Sequence, residues 1–279
     1  MTMHAAGCLY VVATPIGHLD DLSPRATKVL AEVDLIAAED TRHTQQLLAA
    51  KGLRRPLLAL HDHNESQQVA QLLARLHAGE QLALVSDAGT PLISDPGFRL
   101  VRAAREAGFK VSPIPGACAA IAALSVAGLA SDRFVFEGFL PPKSGARRER
   151  LQALRSEPRT LLFYESSHRI EECLVDMIAV YGALRQVVLA RELTKLFETV
   201  LSGTLDELRV RLAADANQRK GEFVVMLEGA SEDTDARLLE GQRVFALLRD
   251  HLPASKAAKL AAEISGAPRK ALYSAVSAD

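Results

Sequence analysis

The segment with most of the candidate chemistry runs from Leu84 to Gly97. A β-forming apolar run at 82–85 leads into a loop of small, hydroxylated and turn-forming residues, and a helix-like segment begins at Phe98. A plain strand-to-helix connection needs only a few residues, whereas this loop has about ten. Loops at the carboxyl ends of strands are where open α/β sheets bind ligands, so the segment predicts a ligand site.

Other polar clusters also follow candidate strands. They lie at 14–21, 39–44, 61–65, 164–169 and 191–195. The carboxyl ends of parallel strands meet at one edge of a sheet, so these groups are expected to project towards a shared cleft. Solubility alone would not concentrate polar residues at the ends of strands.

The elements that must position these clusters alternate in the first half of the chain. Apolar runs predict strands at 9–13, 34–38, 57–60, 82–85 and 110–114. Amphipathic periodicity predicts helices at 24–33, 44–50, 65–77 and 98–107. This alternation predicts a mostly parallel α/β sheet.

The second half has a different pattern. Strands are predicted at 134–139, 160–164, 187–192, 199–203 and 222–228. Only two or three helices separate them, which favours a mixed α+β sheet, and an apolar helix at 118–127 is expected to bridge the two halves. After a polar linker at 230–235 the chain is predicted to be helical. Helices at 255–264 and 269–276 have the spacing of a helix-turn-helix.

The fold class that follows is α/β, with two α/β domains, a ligand cleft between them and a small C-terminal helical domain. We expect an N-terminal α/β domain at 1–122, an α+β domain at 123–230 and a helix-turn-helix-like tail at 231–279.

Composition excludes several classes of protein. Hydrophobic residues make up 48% and charged residues 24% of the 279, as in ordinary soluble globular proteins. The formal net charge of -1 gives no global attraction to nucleic acid or membrane, so a polyanion must be held by local patches. The longest apolar run, 117–130, is shorter than the roughly 20 residues that cross a bilayer, and no secretory signal is recognisable. A cytoplasmic location with no membrane partner is expected.

Missing motifs narrow the choice further. The sequence has neither a P-loop nor a GxGxxG fingerprint, and it lacks the GxSxG and HExxH signatures of common hydrolases. Three scattered cysteines fit neither a disulfide framework nor a metal pair. His61 and His63 flank Asp62 but have no clear third ligand, so no metal is expected.

Two basic segments stand out against the neutral whole. One contains Lys143, Arg147, Arg148 and Arg150, and the other contains Lys256, Lys259, Arg269 and Lys270. Phosphate contacts need such patches, although a solvated helix face is an equally good explanation of either one. These side chains, together with Arg42, are candidates for contacts with phosphates.

Six motifs in this order resemble the small-subunit ribosomal RNA ribose methyltransferases of the tetrapyrrole-methylase superfamily. They lie at 9–17, 38–44, 60–65, 85–91, 163–169 and 190–195. The resemblance implies S-adenosylmethionine as cofactor, bound between two α/β domains. It also implies a homodimer that methylates the 2′-hydroxyl of cytidine 1402 in 16S rRNA, in the decoding centre of the small ribosomal subunit. With RNA as the substrate, the phosphate-contact candidates of the two basic segments, together with Arg42, are expected to bind RNA. No DNA partner is implied.

The resemblance also implies which residues contact the cofactor. They are Thr14, Pro15 and Gly17; Ser86, Asp87, Ala88, Gly89, Thr90 and Leu92; Pro115, Gly116, Cys118 and Ala119; and Tyr164 and Glu165. The chain departs from the family pattern at Ala13, His18 and Ala117. Because a proline at position 117 would fix φ in the turn, we expect altered affinity rather than lost activity.

Methyl transfer to a hydroxyl needs alignment and a base that accepts the proton. The candidate bases are Glu39, Asp40, His43, His61, Asp62 and Glu192. Lys195 and Arg191 are candidates for stabilising a developing alkoxide. The run 39–42 is equally well explained as a helix start, and Arg191 with Glu192 as a structural ion pair. The sequence leaves these alternatives open.

Two other functions are consistent with parts of the pattern. A small tetrapyrrole substrate would suit the same superfamily, but such an enzyme would not need the basic segment and the helical tail. A noncatalytic RNA-binding assembly factor would suit the basic segments, but it would not need so many carboxylates and histidines in the loops that follow the strands.

Overall fold

The computed structural model describes residues 7–230 and 234–274. In that part of the chain, ten strands form two five-stranded sheets, both within one compact unit that ends at Glu228. A second unit consists of Ser156–Pro158 and the residues from Gly229 onward. None of the described helices is long and apolar enough to span a bilayer.

The first sheet is parallel throughout, as the alternating pattern predicted. Its strands are β1 (Cys8–Val12), β2 (Leu35–Ala38), β3 (Leu57–Ala59), β4 (Gln81–Val85) and β5 (Lys110–Ile114). Their order is β3-β2-β4-β1-β5. Because β2 and most of β4 are buried on both faces, they are continuous apolar runs rather than alternating ones.

The helices of this half are α1 (Pro24–Glu32), α2 (Thr41–Ala50), α3 (Glu65–His77) and α4 (Phe98–Glu106). Ser23 caps α1 by accepting a hydrogen bond from the backbone N–H of Ala26, and Pro24 occupies its first turn. Helix α2 begins three residues earlier than predicted because Asp40 caps it.

The second sheet is mixed, which confirms the predicted change of pattern. Its strands are β6 (Phe134–Phe139), β7 (Thr160–Ser166), β8 (Gln186–Arg191), β9 (Thr199–Thr204) and β10 (Glu222–Leu227), in the order β6-β7-β10-β8-β9. Strands β6 and β7 are parallel, and the other neighbours are antiparallel. Helices α6 (Ser144–Ala153), α7 (Ile170–Tyr181) and α8 (Leu205–Ala214) connect them.

Helix α5 (Ala119–Ala127) packs on the second sheet. Ala120, Ala123 and Leu124 of α5 are buried in one cluster with Val188 and Val224 of that sheet. The small side chains of Ala120 and Ala123 let the helix lie close to the strands. The predicted domain boundary at residue 122 falls inside this helix.

The C-terminal unit contains α9 (Thr234–Arg249), α10 (Ala254–Ser265) and α11 (Arg269–Ser274). Ala257, Ala258 and Ala261 form the buried face of α10 against Phe245 and Leu272. Helix α10 ends at Gly266, whose φ of 70° favours glycine. The predicted helical domain is confirmed, with the turn between α10 and α11 where the sequence placed it.

The structure contradicts one predicted RNA contact, because Arg147 is buried. Its side chain is 0% exposed, and Nε donates to Oδ2 of Asp176 at 2.6 Å. Asp176, 3% exposed, also accepts from Arg148 at 2.5 Å and from the hydroxyl of Ser144 at 2.9 Å. Although burial opposes it, these hydrogen bonds lower the pKa of Asp176. The cluster fastens α6 to α7 and leaves the guanidinium of Arg147 no access to a phosphate.

We predict that Asp176→Asn lowers the free energy of unfolding by about 3–5 kcal/mol, because it removes the buried carboxylate 2.6 Å from Arg147 and leaves this buried charge only the longer contact, 3.5 Å, with exposed Glu172. The measurement is urea denaturation at neutral pH. Glu106→Gln is the matched control, since it removes the carboxylate of the exposed pair Arg102–Glu106 and is expected to cost less than about 1 kcal/mol. Equal losses in the two variants would contradict a structural role for the Arg147–Asp176 pair.

Candidate active site

A pocket of about 300 Å³ lies between the two sheets of the larger unit. The first-sheet side is lined by the loops after β1, β2 and β4, and the other side by residues of β6, β7, β8 and β10. Cys118 and Ala119, at the start of α5, complete the wall. The pocket therefore lies where the carboxyl ends of the parallel strands were predicted to meet.

Backbone hydrogen bonds join the loops after β1 and β4. The N–H of Thr14 donates to the carbonyl of Gly89 at 2.8 Å, and the N–H of Gly89 donates back at 3.1 Å. Thr90 extends the connection by donating from its hydroxyl to the carbonyl of Ala117 at 2.9 Å. Gly89 has a φ of 85°, where a side chain would be strained. The loops after β1, β4 and β5 are thus joined into one rigid surface, the floor of the pocket.

The second part of the β4–α4 loop holds unusual backbone conformations. Leu92 and Ser94 have φ values of 74° and 67°, although neither is glycine. Such residues cost about 1–3 kcal/mol each and are found mainly where the surrounding structure fixes a functional segment. Here the loop turns Ile93, Ser94 and Asp95 into the pocket.

One side of the pocket is closed by contact between the loops after β1 and β8. The N–H of His18 donates to the hydroxyl oxygen of Thr194 at 3.0 Å. A Cβ at Gly17 would lie 2.6 Å from both that oxygen and Cγ of Lys195, so only glycine allows this approach. Glu192 and Thr194 have φ values of 51° and 63°, which gives this loop the same kind of strain.

Carboxylates dominate the electrostatics of the pocket. Glu39, Asp87 and Asp95 line it, and among the described residues no lysine or arginine forms an ion pair with them. Burial raises the pKa of Glu39, with Asp87 and Asp62 adding repulsion against the opposing backbone hydrogen bond from Asp87. Burial also raises the pKa of Asp95 to about 6, and Glu39 and Asp87 add to it. The pocket therefore favours a cationic ligand.

The cation in the pocket wall, Lys195, is already paired. Its Nζ lies 2.9 Å from Oε1 of Glu192 and 2.8 Å from Oε2 of Glu222. Although burial opposes it, these hydrogen bonds raise the pKa of Lys195 and hold it as an ammonium. Lys195 can therefore orient or stabilise an anionic group, but it is not a base.

Tyr164 connects the second sheet to α5. Its hydroxyl oxygen accepts from the N–H of Ala120 at 3.1 Å, and its ring contacts Phe136 and Phe139 edge-to-face, with centroids 4.9 and 5.6 Å apart. Burial raises the pKa of its hydroxyl. Glu165 beside it is buried and pairs with Arg169 at 3.3 Å. Tyr164 thus fixes the start of α5 and supplies an aromatic wall.

Comparison with known proteins identifies the family. The model of the tetrapyrrole (corrin/porphyrin) methylases matches residues 8–209. The chain belongs to this family. A second model, the RsmI C-terminal HTH domain, matches residues 235–278 of this methylase. Family membership confirms that the protein is a methyltransferase, with S-adenosylmethionine as its cofactor.

Curated relatives are similar to this methylase over almost its whole length. A protein of Xylella fastidiosa strain Temecula1 is 64% identical over 97% of this chain and 99% of its own. One from Pseudomonas aeruginosa is 56% identical over 96% of both chains, and one from Escherichia coli O157:H7 is 56% identical over 97% and 94%. All three are named ribosomal RNA small subunit methyltransferase I.

Solved structures show the same fold at low identity. The methyltransferase CobJ has a TM-score of 0.59 and 20% identity, covering 81% of this methylase and 95% of its own chain. Diphthine synthase has 0.59 and 17%, covering 80% and 90%. Uroporphyrin-III C-methyltransferase from Thermus thermophilus, complexed with S-adenyl homocysteine, has 0.53 and 16%, covering 79% and 97%.

The structure brings ten predicted site residues to the pocket wall. They are Glu39, Asp87, Ala88, Gly89, Thr90, Cys118, Ala119, Tyr164, Glu165 and Lys195. The other predicted cofactor contacts belong to the same loops without lining the pocket, namely Thr14, Pro15, Gly17, Ser86, Leu92, Pro115 and Gly116. Asp40, His43, His61, Asp62, Arg191 and Glu192 are also absent from the described lining.

Sequence reasoning missed several residues of the pocket wall. Among them are Ile93, Ser94 and Asp95, Leu193 in the loop after β8, and Phe139, Ser166 and Glu222 in the second sheet. Asp95 could have been predicted from the sequence, because it lies in the same turn-rich loop as Asp87. Glu222 gave no signal, because it begins the antiparallel strand β10, and such strands bring their first residues rather than their last to this edge.

Two predicted catalytic residues have structural partners instead. Arg191 is buried and donates to the carbonyls of Phe197 at 2.8 Å, Lys220 at 3.1 Å and Asn217 at 3.2 Å, so it is not free to stabilise an alkoxide. It forms no ion pair with Glu192, whose described partner is Lys195. Asp40 accepts from the backbone and guanidinium of Arg42, which lower its pKa and make it a poor base. The helix-start explanation of 39–42 was correct for Asp40.

Several side chains of the predicted basic patches form ion pairs within the protein. Arg148 shares Asp176, Arg150 pairs with Glu137 at 2.6 Å, and exposed Arg42 pairs with Asp40 at 2.6 Å. Lys143 is exposed at the start of α6. In the C-terminal unit Lys256 and Arg269 are exposed, and Lys259 lies 3.8 Å from Glu263. The side chain of Lys270 lies outside the described residues.

We predict that Asp95→Asn stabilises the cofactor-free protein at pH 7–8 but not below about pH 4. An aspartate normally titrates near 3.8, and the folded-state pKa is about 6, so between these values the folded protein binds more protons than the unfolded chain. Stability therefore falls as pH rises through this window, and the asparagine variant avoids the loss.

The measurement is the melting temperature of both proteins from pH 4 to 8. Asp132→Asn, which removes an exposed carboxylate outside the pocket, is the control. A constant difference between wild type and Asp95→Asn across this range would contradict burial of the Asp95 charge.

Proposed function

We propose that this methylase transfers a methyl group from S-adenosylmethionine to the ribose 2′-hydroxyl of cytidine 1402 of 16S rRNA, in the decoding centre of the small ribosomal subunit. The observation that supports it is the 56–64% identity to ribosomal RNA small subunit methyltransferases I over 96–97% of this chain. The tetrapyrrole methyltransferases of solved structure are only 16–20% identical, so they support the fold and not a porphyrinoid substrate.

The residues of the pocket fit the proposed cofactor. When bound, S-adenosylmethionine supplies an electrophilic methyl group on a positively charged sulfonium. The carboxylates of Glu39, Asp87 and Asp95 complement that charge, and Ile16 and Leu193 offer apolar surface to an adenine ring. The loops joined at Thr14 and Gly89 hold this lining in place before any ligand arrives.

Of the candidate bases, we propose Glu39. It lines the pocket, while His43, His61 and Asp62 do not, and its raised pKa makes it a better proton acceptor than an exposed carboxylate. The N–H of Asp87 donates to Oε2 of Glu39 at 3.3 Å and orients it. The carboxylate of Glu39 accepts the proton of the ribose hydroxyl. The ammonium of Lys195 stabilises the negative charge that develops on the ribose oxygen.

Access to a ribose in structured RNA requires the target nucleotide to leave its helix. Lys143, the half-exposed Arg148, and Lys256 and Arg269 of the C-terminal unit are proposed to contact neighbouring phosphates. The family resemblance supports a homodimer and a cytoplasmic location, which are part of the same proposal.

The function is tested by incubating the purified protein with radiolabelled S-adenosylmethionine and small ribosomal subunits that lack this ribose methylation. We expect about one methyl group per subunit, at cytidine 1402, with the adjacent phosphodiester made resistant to alkali. A parallel reaction contains a porphyrinoid in place of RNA. Label on the porphyrinoid, or none on RNA from a folded enzyme that binds the cofactor, would overturn the proposal.

We predict that Glu39→Gln lowers kcat, measured at saturating cofactor, by about 10²–10⁴-fold, as expected for loss of a general base. Cofactor binding is expected to weaken as well, because one of the three carboxylates that complement the sulfonium is lost. The glutamine keeps an oxygen that accepts from Asp87. Asp62→Asn is the control, because Asp62 acts on Glu39 only through charge and does not line the pocket. In the wild type, kcat falls as pH drops through the raised pKa of Glu39. Equal kcat values for the two variants would rule Glu39 out.

A further inference from the structure

The loop between β8 and β9 carries an exposed apolar pair at the rim of the pocket. Leu193 and Lys195 of this loop line the pocket, and the next two residues face solvent. Leu196 is 90% exposed and Phe197 is 67% exposed. An exposed leucine alone is ordinary, but an exposed aromatic ring two residues after a pocket residue offers a flat surface beside the site.

The backbone that presents this ring is held firmly. Arg191 is buried and donates to the carbonyl of Phe197 itself at 2.8 Å and to the hydroxyl of Thr199 at 3.0 Å. Within the loop, the N–H of Thr194 donates to Glu198 at 2.6 Å. Because the backbone of Phe197 is already fixed, stacking of a partner on its ring costs little loop entropy.

The charges around the loop favour a neutral ring over a phosphate. Glu192, Glu198 and Glu222 lie on or beside it, and Lys195 is already paired with two of these carboxylates. An RNA backbone would be repelled here. The flat face of an unpaired nucleobase carries no net charge and is not repelled. Stacking on aromatic side chains is the usual way in which unstacked bases are bound.

The exposed pair is too small to be an interface by itself. A stable protein interface buries about 800 Å² on each partner, far more than two side chains supply, and carboxylates border this pair. A single base, by contrast, matches one aromatic ring.

We propose that Phe197, flanked by Leu196, stacks on the unpaired base of the target nucleotide and so positions its ribose at the pocket. This inference rests on the proposed function, because it needs an RNA substrate. It assigns Phe197 a role in substrate binding that is independent of the cofactor, because Phe197 does not line the pocket that the cofactor is proposed to occupy.

The test measures kcat and KM for small ribosomal subunits that lack the methyl group, with cofactor affinity measured separately by calorimetry. Phe197→Ala is expected to lower kcat/KM by about tenfold or more, mainly through KM. Phe197→Trp and Phe197→Tyr restore it because they keep a stacking surface, whereas Phe197→Leu does not. Leu184→Ala is the control, since Leu184 is 81% exposed and precedes β8 at its other end.

Four results would overturn the inference while the proposed function stands. The first two are an unchanged kcat/KM in Phe197→Ala and an equal kcat/KM in Phe197→Leu and Phe197→Tyr. The third is a loss that follows dissociation of an oligomer in sedimentation. The fourth is a parallel loss of cofactor affinity, which would show that Phe197 only supports the loop. If the wild type labels no RNA in the same assay, the proposed function itself fails and this inference fails with it.

Discussion

The pocket depends on the pair of backbone hydrogen bonds between Thr14 and Gly89. Each residue follows a central strand of the parallel sheet, and the pair joins two loops that would otherwise end independently. With the hydroxyl of Thr90 bound to Ala117, the start of α5 is fixed to the same floor. The strained turn that presents Asp95 belongs to the same β4–α4 loop as Gly89 and Thr90.

The second constraint is close approach between loops of the two sheets. Gly17 has no Cβ, so Thr194 and Lys195 can pack against it and close one side of the cleft. The strained residues of the loop after β8, Glu192 and Thr194, are kept by such contacts rather than by local preference. A pocket assembled in this way is largely preorganised, which suits a reaction that depends on alignment.

The charges of the pocket favour the cofactor and oppose the RNA. The cleft is acidic and suits a cationic methyl donor, whereas a ribosomal RNA is a polyanion that the same carboxylates repel. Some arginines that the sequence offers for RNA binding are paired with carboxylates of the protein itself, as at Arg147 and Arg150. In the proposed complex, RNA binding depends on the remaining cations and, near the pocket, on neutral surfaces such as Phe197.

The sequence by itself determined the secondary structure, both sheets, the helical tail and the loops that form the pocket. Those features follow from local signals: apolar runs, helical periodicity, and the glycines and prolines of the β4–α4 loop. Tertiary structure alone decided the roles of individual charges. Asp176 and Arg147 are 29 positions apart, and Arg191 meets its carbonyl partners only where loops fold together. Glu222 and Phe197 are in place because antiparallel pairing brings them to the same edge. Pattern along the chain reports burial and periodicity, but it does not report which distant partner satisfies a charge.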